Sequence, residues 1–306
     1  MKLGIIGLSN GNGHPYSWSA IINGDFDAGA MKQCGFPVIP EYLIANTDTI
    51  GIDDAYVTHI WTQDRAISEH CAKASKITHV CENMEDMIGQ VDAVLLARDD
   101  PENHVVMAKP FIEANVPVFI DKPLAITWND LDYFSEQAHA GKFIMSCSSM
   151  RYAPGVHQHR VNVNKMKNIQ LAVAIGKKDW VKYGIHYLEG MFSVLNDPIA
   201  VSAHHISSGE RDIVFIEFEN GMLATVHVFM DIVPASDLML YGSDAKVSVS
   251  YGGAYSSFRN TLTEVIHAFR EGTPRLEFSK TENLIKTLIA GNESLKCGGK
   301  KINIPR

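Results

Sequence analysis

Short apolar runs rich in β-branched residues recur through the first half of the chain, each followed by a stretch long enough for a helix. Residues 2–7, 55–61, 91–97, 116–120 and 142–146 are such runs, with a shorter one at 78–81. They read as strands buried on both faces. Strands alternating with helices at this spacing predict an α/β fold built on a doubly wound parallel sheet with right-handed crossovers. The pattern changes after residue 148. Residues 169–175, 201–206, 212–218, 223–229, 238–241 and 246–251 are strand-like, and Glu219-Asn220-Gly221 marks a hairpin between two of them. Helices are expected at 188–195, 261–271 and 281–296. Two domains follow: residues 1–148, and 149–306 as an α+β domain with a largely antiparallel sheet. The long stretch 24–54 reads as an excursion with little periodicity.

The ends of the buried runs carry the chemistry, because ligands of open α/β sheets sit beyond the carboxyl ends of the strands. The first run ends in Gly7-Leu8-Ser9-Asn10-Gly11-Asn12-Gly13-His14-Pro15. A glycine-rich turn between a strand and a helix lets backbone N–H groups approach a phosphate, although the spacing is not GxGxxG and the same residues also make plain turns. The second run leads into Thr62-Gln63-Asp64-Arg65. Asp64 is placed to hold a ribose hydroxyl or to cap the next helix, and Arg65 to meet a 2′-phosphate, so NAD and NADP both remain open. The run at 91–97 ends in Ala97-Arg98-Asp99-Asp100-Pro101, where Asp100 is a helix cap. The run at 116–120 ends in Asp121-Lys122-Pro123, where proline stiffens the support of the lysine. That tripeptide alone is equally a surface turn with a paired lysine.

Composition bounds the alternatives. The 306 residues are 46% hydrophobic and 20% charged, and the net charge of −8 without a basic run argues against nucleic acid. Five scattered cysteines, none in CxxC spacing, predict reduced thiols of a cytoplasmic protein. The chain opens directly on a strand, leaving no room for a signal peptide, and no apolar run is long enough for a bilayer. His204 and His205 are adjacent in a strand and point to opposite faces, so no metal site is expected.

Trp180-Val181-Lys182-Tyr183-Gly184-Ile185-His186-Tyr187-Leu188-Glu189 is the second informative stretch. On a helix beginning near Gly184, His186 and Glu189 share a face. A histidine beside a carboxylate suits a general base, although a lone histidine is more often a core residue.

The glycine-rich first turn, the DKP closing the fifth strand and the Gly-x-His-x-x-acid helix start together resemble the glucose–fructose oxidoreductase/inositol dehydrogenase (Gfo/Idh/MocA) family. His104, Met150-Arg151-Tyr152 and Ala290-Gly291-Asn292-Glu293-Ser294 add to the resemblance, which runs over nearly the whole chain outside 24–54. It implies an NAD(P)-dependent dehydrogenase with an N-terminal Rossmann domain for the dinucleotide and a second domain for substrate and oligomerisation. The substrate implied is a sugar, polyol or nucleotide sugar. Lys122 matches the family's lysine near the nicotinamide, and His186 the residue that takes the hydroxyl proton. The cofactor would be held by Gly7, Ser9, Asn10, Gly11, Asn12, Gly13, Thr62, Asp64, Arg65, Ala97, Arg98, Asp99, His104, Asp121 and Lys122. Arg151, Trp180, Lys182, Tyr183, His186 and Glu189 would contact substrate. A homodimer or homotetramer is implied too. Lys182 departs from the family by reversing an acid, Asp121 replaces a glutamate, and Arg98-Asp99 stands where Thr-Pro is usual. A non-catalytic sensor or regulatory protein of the same fold, binding cofactor or sugar, is the alternative that these departures raise.

Overall fold

The computed structural model describes residues 1–306, which fall into two units. One comprises residues 1–125, 132–146 and 261–278, the other 126–131, 147–260 and 279–306.

In the first unit the expected alternation gives β1 (Lys2–Ile6), α1 (His14–Asn23), α2 (Ala28–Met31), α3 (Val38–Ile44), β2 (Tyr56–Trp61), α4 (Arg65–Ser75) and β3 (His79–Val80). It continues with β4 (Ala93–Leu96), α5 (His104–Glu113), β5 (Val118–Ile120), α6 (Trp128–His139) and β6 (Ile144–Ser146). The six strands are all parallel, in the order β3-β2-β1-β4-β5-β6. Every residue of β4 and β5 is buried, as continuous Val/Ile/Leu runs require of strands covered on both faces. Neighbours of β1 on either side were reached by connections running in opposite directions, so the order reverses between β1 and β4.

The stretch 24–54 is structured. Asp27 caps α2 by accepting from the Ala30 N–H at 2.9 Å. Phe36 and Ile39 pack so closely on Gly13 that a Cβ there would lie 2.7 and 2.6 Å from them. The Tyr42 hydroxyl donates to Ser17 Oγ at 2.5 Å, and the Gly51 N–H to the Ile21 carbonyl at 2.7 Å. The excursion thus walls α1 and the turn that precedes it.

The second unit contains α7 (Pro154–Val163), β7 (Leu171–Lys177), α8 (Trp180–Val194), β8 (Ala200–Ser207), β9 (Arg211–Phe218) and β10 (Leu223–Phe229). It also holds β11 (Ser236–Tyr241), β12 (Lys246–Ser250), β13 (Ile302–Asn303) and nearly all of α10 (Phe278–Lys296), whereas most of α9 (Ala254–Glu271) belongs to the first unit. Its strand order is β12-β11-β7-β10-β9-β8-β13, antiparallel except for the parallel pair β7 and β10. The expected hairpin joins β9 and β10, with Gly221 at φ +82°. One face, carrying Ala172, Ala174, Val214, Ile216, Ala224 and Val226, is buried, and α8 packs against β7 and β10. The other face presents Val173, Ile175, Ile213, Phe215, Met239 and their row-mates, with Ile175 36% exposed. No helix is long and apolar enough to cross a membrane.

Helix α8 starts earlier than the expected point near Gly184. Asp179 caps it, accepting from the Lys182 N–H at 2.9 Å. Gly184 lies inside the helix because the Trp180 ring crosses it; a Cβ there would meet that ring at 2.4 Å.

Candidate active site

In the first unit the turns after β1, β4 and β5 meet at the point where strand order reverses. Ser9 Oγ donates to Asp99 Oδ1 at 2.5 Å, and the Asp99 N–H donates back to Ser9 Oγ at 3.0 Å. Lys122 Nζ lies 3.4 Å from the other oxygen of Asp99. Asn12 Nδ2 donates to Asp121 Oδ2 at 2.9 Å, and His14 Nδ1 lies 2.5 Å from the same oxygen. The Lys122 N–H reaches Asp121 Oδ1 at 2.8 Å. Burial pushes the Asp121 carboxyl up, but the charges and hydrogen bonds of His14 and Lys122 outweigh it and hold the group down to about 2.

Arg98 turns the same way but is engaged with its neighbours. It donates to Asp100 Oδ1 at 2.9 Å, to Gln63 Oε1 at 2.9 Å and to the Leu8 carbonyl at 3.2 Å. Asp100 therefore holds Arg98 and Asn103 and, contrary to expectation, makes no side-chain cap. His104 is fully buried between the carbonyls of Arg98 and Leu124 at 2.9 and 3.1 Å, where it fixes the β4 turn. Ala97 is buried, its N–H on the Ile6 carbonyl at 2.8 Å. Thr62 is buried too, its hydroxyl donating to the Asp64 carbonyl at 2.6 Å.

The expected phosphate cradle is altered. The N-terminus of α1 spends its own donors: the His14 N–H goes to Asn12 Oδ1 at 2.7 Å, Pro15 has none, and Tyr16 and Ser17 reach the Gly13 carbonyl at 3.1 and 3.2 Å. Gly7 and Gly13 serve close packing, since a Cβ at Gly7 would lie 2.2 Å from Pro15. The backbone left facing outward is the exposed tip, Asn10 and Gly11, with Gly11 at φ +82°. Asp64 caps α4 through Oδ1 at 2.8 Å and stays exposed, which leaves a carboxylate acceptor capacity for a ribose hydroxyl. Arg65 pairs with Glu69 at 2.9 Å. These donors and acceptors fit a dinucleotide, for which the exposed turn, and not the engaged helix end, would offer backbone donors to the pyrophosphate.

In the second unit, His186 Nδ1 lies 2.6 Å from the hydroxyl of Ser148, a residue that the sequence reading missed. The Tyr183 ring is 5.5 Å from the imidazole, and the Lys178 ammonium sits 4.0 Å above that tyrosine ring and contacts its hydroxyl. Lys182 is exposed.

Three residues expected to contact substrate are buried and engaged with protein partners. Trp180 is 1% exposed, its indole N–H on Asn292 Oδ1 at 2.9 Å and its ring edge-on to His205. Arg151 and Glu189, 4% and 3% exposed, pair directly with each other, and Arg151 also donates to Asp197 at 2.7 and 3.1 Å. Burial lowers the Arg151 guanidinium, but the Glu189 and Asp197 carboxylates outweigh it and hold it above its usual range. The Arg151 guanidinium is thus shared between two buried carboxylates.

The comparisons agree with this architecture. The chain is similar to the crystal structure of myo-inositol dehydrogenase from Lactobacillus casei in complex with NAD(H) and myo-inositol, at TM-score 0.78 and 14% identity, covering 100% of this chain and 97% of that one. It is similar to the apo scyllo-inositol dehydrogenase of the same organism at TM-score 0.77 and 12% identity, covering 99% and 98%. It is also similar to a probable dehydrogenase from Thermotoga maritima at TM-score 0.76 and 14% identity, covering 99% of each chain. At these identities the likeness is one of fold. No curated protein matches the chain. Residues 39–146 match the profile described as "Oxidoreductase family, NAD-binding Rossmann fold", a segment that begins beyond the altered glycine turn. The resemblance to the Gfo/Idh/MocA oxidoreductases read from the motifs is thereby borne out over residues 39–146, which match that family's model.

Proposed function

We propose that the protein is an NAD(P)-dependent dehydrogenase acting on a hydroxyl of a sugar, polyol or nucleotide sugar. The observation that carries this reading is the Ser9–Asp99–Lys122 chain of contacts at the point where strand order reverses, the place where this fold holds dinucleotides. A bound nicotinamide dinucleotide would supply the acceptor for two electrons and a hydrogen from carbon. Ser9, Asn10, Gly11, Asp64 and Asp99 are assigned to hold it. Lys122 stabilises charge on the reacting oxygen, and His186 exchanges a proton with that oxygen. Lys182 and Tyr183 are assigned to substrate. Residues 1–148 would serve the cofactor, and 149–306 the substrate and self-association.

The open face of the second sheet supports a homodimer or homotetramer, because a row such as Phe215, Thr225, Val173 and Met239 leaves apolar side chains half-exposed. Five free thiols suit a cytoplasmic setting.

Fluorescence titration of cofactor-stripped protein with NADH and with NADPH, followed by an assay on inositols and sugars, tests the reading. Binding with turnover upholds it, and the preferred cofactor identifies the ribose contact. Binding without turnover on the panel favours a sensor. Failure to bind either dinucleotide removes the enzyme.

A further inference from the structure

Lys178 joins β7 to α8 with its backbone at φ +94°, in the left-handed region. Glycine adopts that conformation freely, whereas a lysine there is strained, and strained residues gather at ligand sites. The Lys178 ammonium lies 4.0 Å from the centroid of the Tyr183 ring and donates to the Tyr183 hydroxyl. A phenol oxygen that accepts from an ammonium keeps its own proton to donate. The two acids of this stretch are committed elsewhere: Asp179 accepts from the Lys182 N–H at 2.9 Å, and Glu189 pairs with Arg151.

Lys182, Tyr183 and His186 fall within about 100° of one another around α8. Lys182 is exposed and Tyr183 and His186 are half-buried, while Gly184, Ile185 and Leu188 turn into the core. Lys178 joins this outer face through Tyr183. In a chain of net charge −8, two ammonium groups beside a phenol donor reverse the local charge.

We propose that Lys178, Lys182 and Tyr183 form a subsite for an anionic group, a carboxylate or a phosphate, carried by the substrate. The three side chains supply donors, and the oxygens of such a group only accept. The assignment rests on the dehydrogenase reading and narrows it to an acidic or phosphorylated sugar or polyol. A neutral polyol leaves both ammonium groups unmatched.

NMR of protein carrying carbon-13 at lysine Cε tests the subsite without cofactor. The two signals are assigned from their loss in Lys178→Met and Lys182→Met. Inorganic phosphate, D-glucuronate, D-glucose 6-phosphate and neutral D-glucose are titrated separately at constant ionic strength. Saturable shifts at Lys178 and Lys182 with an anion, and none with D-glucose, are expected, while the exposed Lys246 stays unmoved. A response to glucuronate alone assigns a carboxylate, and a response to the phosphates alone assigns a phosphate. No saturable shift with any of the three anions overturns the proposal, as do equal shifts at Lys246. Lys178→Gly removes the strain together with the ammonium. It is expected to unfold at a urea concentration no lower than wild type while anion affinity falls about tenfold. Unchanged affinity in that variant overturns the place of Lys178. If an anion moves both lysines and no dinucleotide binds, the subsite stands and the dehydrogenase falls. If a neutral polyol is turned over while no anion moves them, the dehydrogenase stands and the subsite falls.

Discussion

Lys122 and Asp99 form an ion pair at 3.4 Å, and the second carboxylate oxygen of Asp99 accepts from Ser9, so the lysine after β5 and the turn after β1 share one side chain. The Arg98-Asp99 departure in sequence thus creates a contact that a Thr-Pro pair would not make.

On the proposed reading, in which Lys122 stabilises charge on the reacting oxygen, Lys122→Ala is expected to lower kcat by about 10²–10³-fold while NADH still binds. Asp99→Asn removes the anion beside the lysine without changing its size, and a smaller loss in kcat is expected. Steady-state kinetics with a parallel fluorescence titration checks both. Undiminished turnover in Lys122→Ala would exclude the lysine from the chemistry.

Asp121 predicts an acid dependence. Its folded value, about 2, lies below the ordinary 3.8, so its contribution is fully present above about pH 4 and is lost as pH falls through about 2. The depression corresponds to about 2 kcal/mol. Asp121→Asn should cost about that much in urea unfolding near neutral pH, with the difference from wild type shrinking as the solution is acidified. A gap that stays constant with pH would show that the carboxylate's charge is not what matters.

Arg151→Met leaves Glu189 and Asp197 buried without their cation. A loss of about 3–5 kcal/mol is expected in denaturant unfolding. A loss under about 1 kcal/mol, typical of exposed pairs, would mean that water reaches the cluster.

Ile175→Glu places a charge on the open face of the second sheet, where Ile175 pairs with His227 and Asp237 across the strands. Sedimentation is expected to show a shift toward monomer. An unchanged oligomer would move the interface elsewhere.

Much of this architecture is legible in the sequence, for particular reasons. Buried parallel strands need uninterrupted apolar runs, and 93–96 and 118–120 provide them. Gly221 betrays the β9–β10 turn through the conformation that it must adopt. The start of α8 was misread because Gly184 resembles a boundary, whereas Asp179 and the Lys182 N–H make the cap. Helices α2 and α7 carried comparable signals, in Asp27 and in Pro154 at a first-turn position. The fates of Arg151, Trp180 and Glu189 were not legible. Their polarity advertises a site, but their partners Asp197, Asn292 and Ser148 are distant in sequence or carry no local signature. Ser148 itself has no motif, and only the packing of the short turn 149–152 against α8 brings it to His186.

The parallel pairing of β7 with β10 has a consequence for folding. The chain between those two strands, residues 178–222, holds α8, β8 and β9, so a long loop must close before the pair can form. His186 rides on that connection. Such non-local pairing is slow relative to helix formation, so during refolding helical signal should recover well before the histidine acquires its serine partner, and catalytic competence should return last.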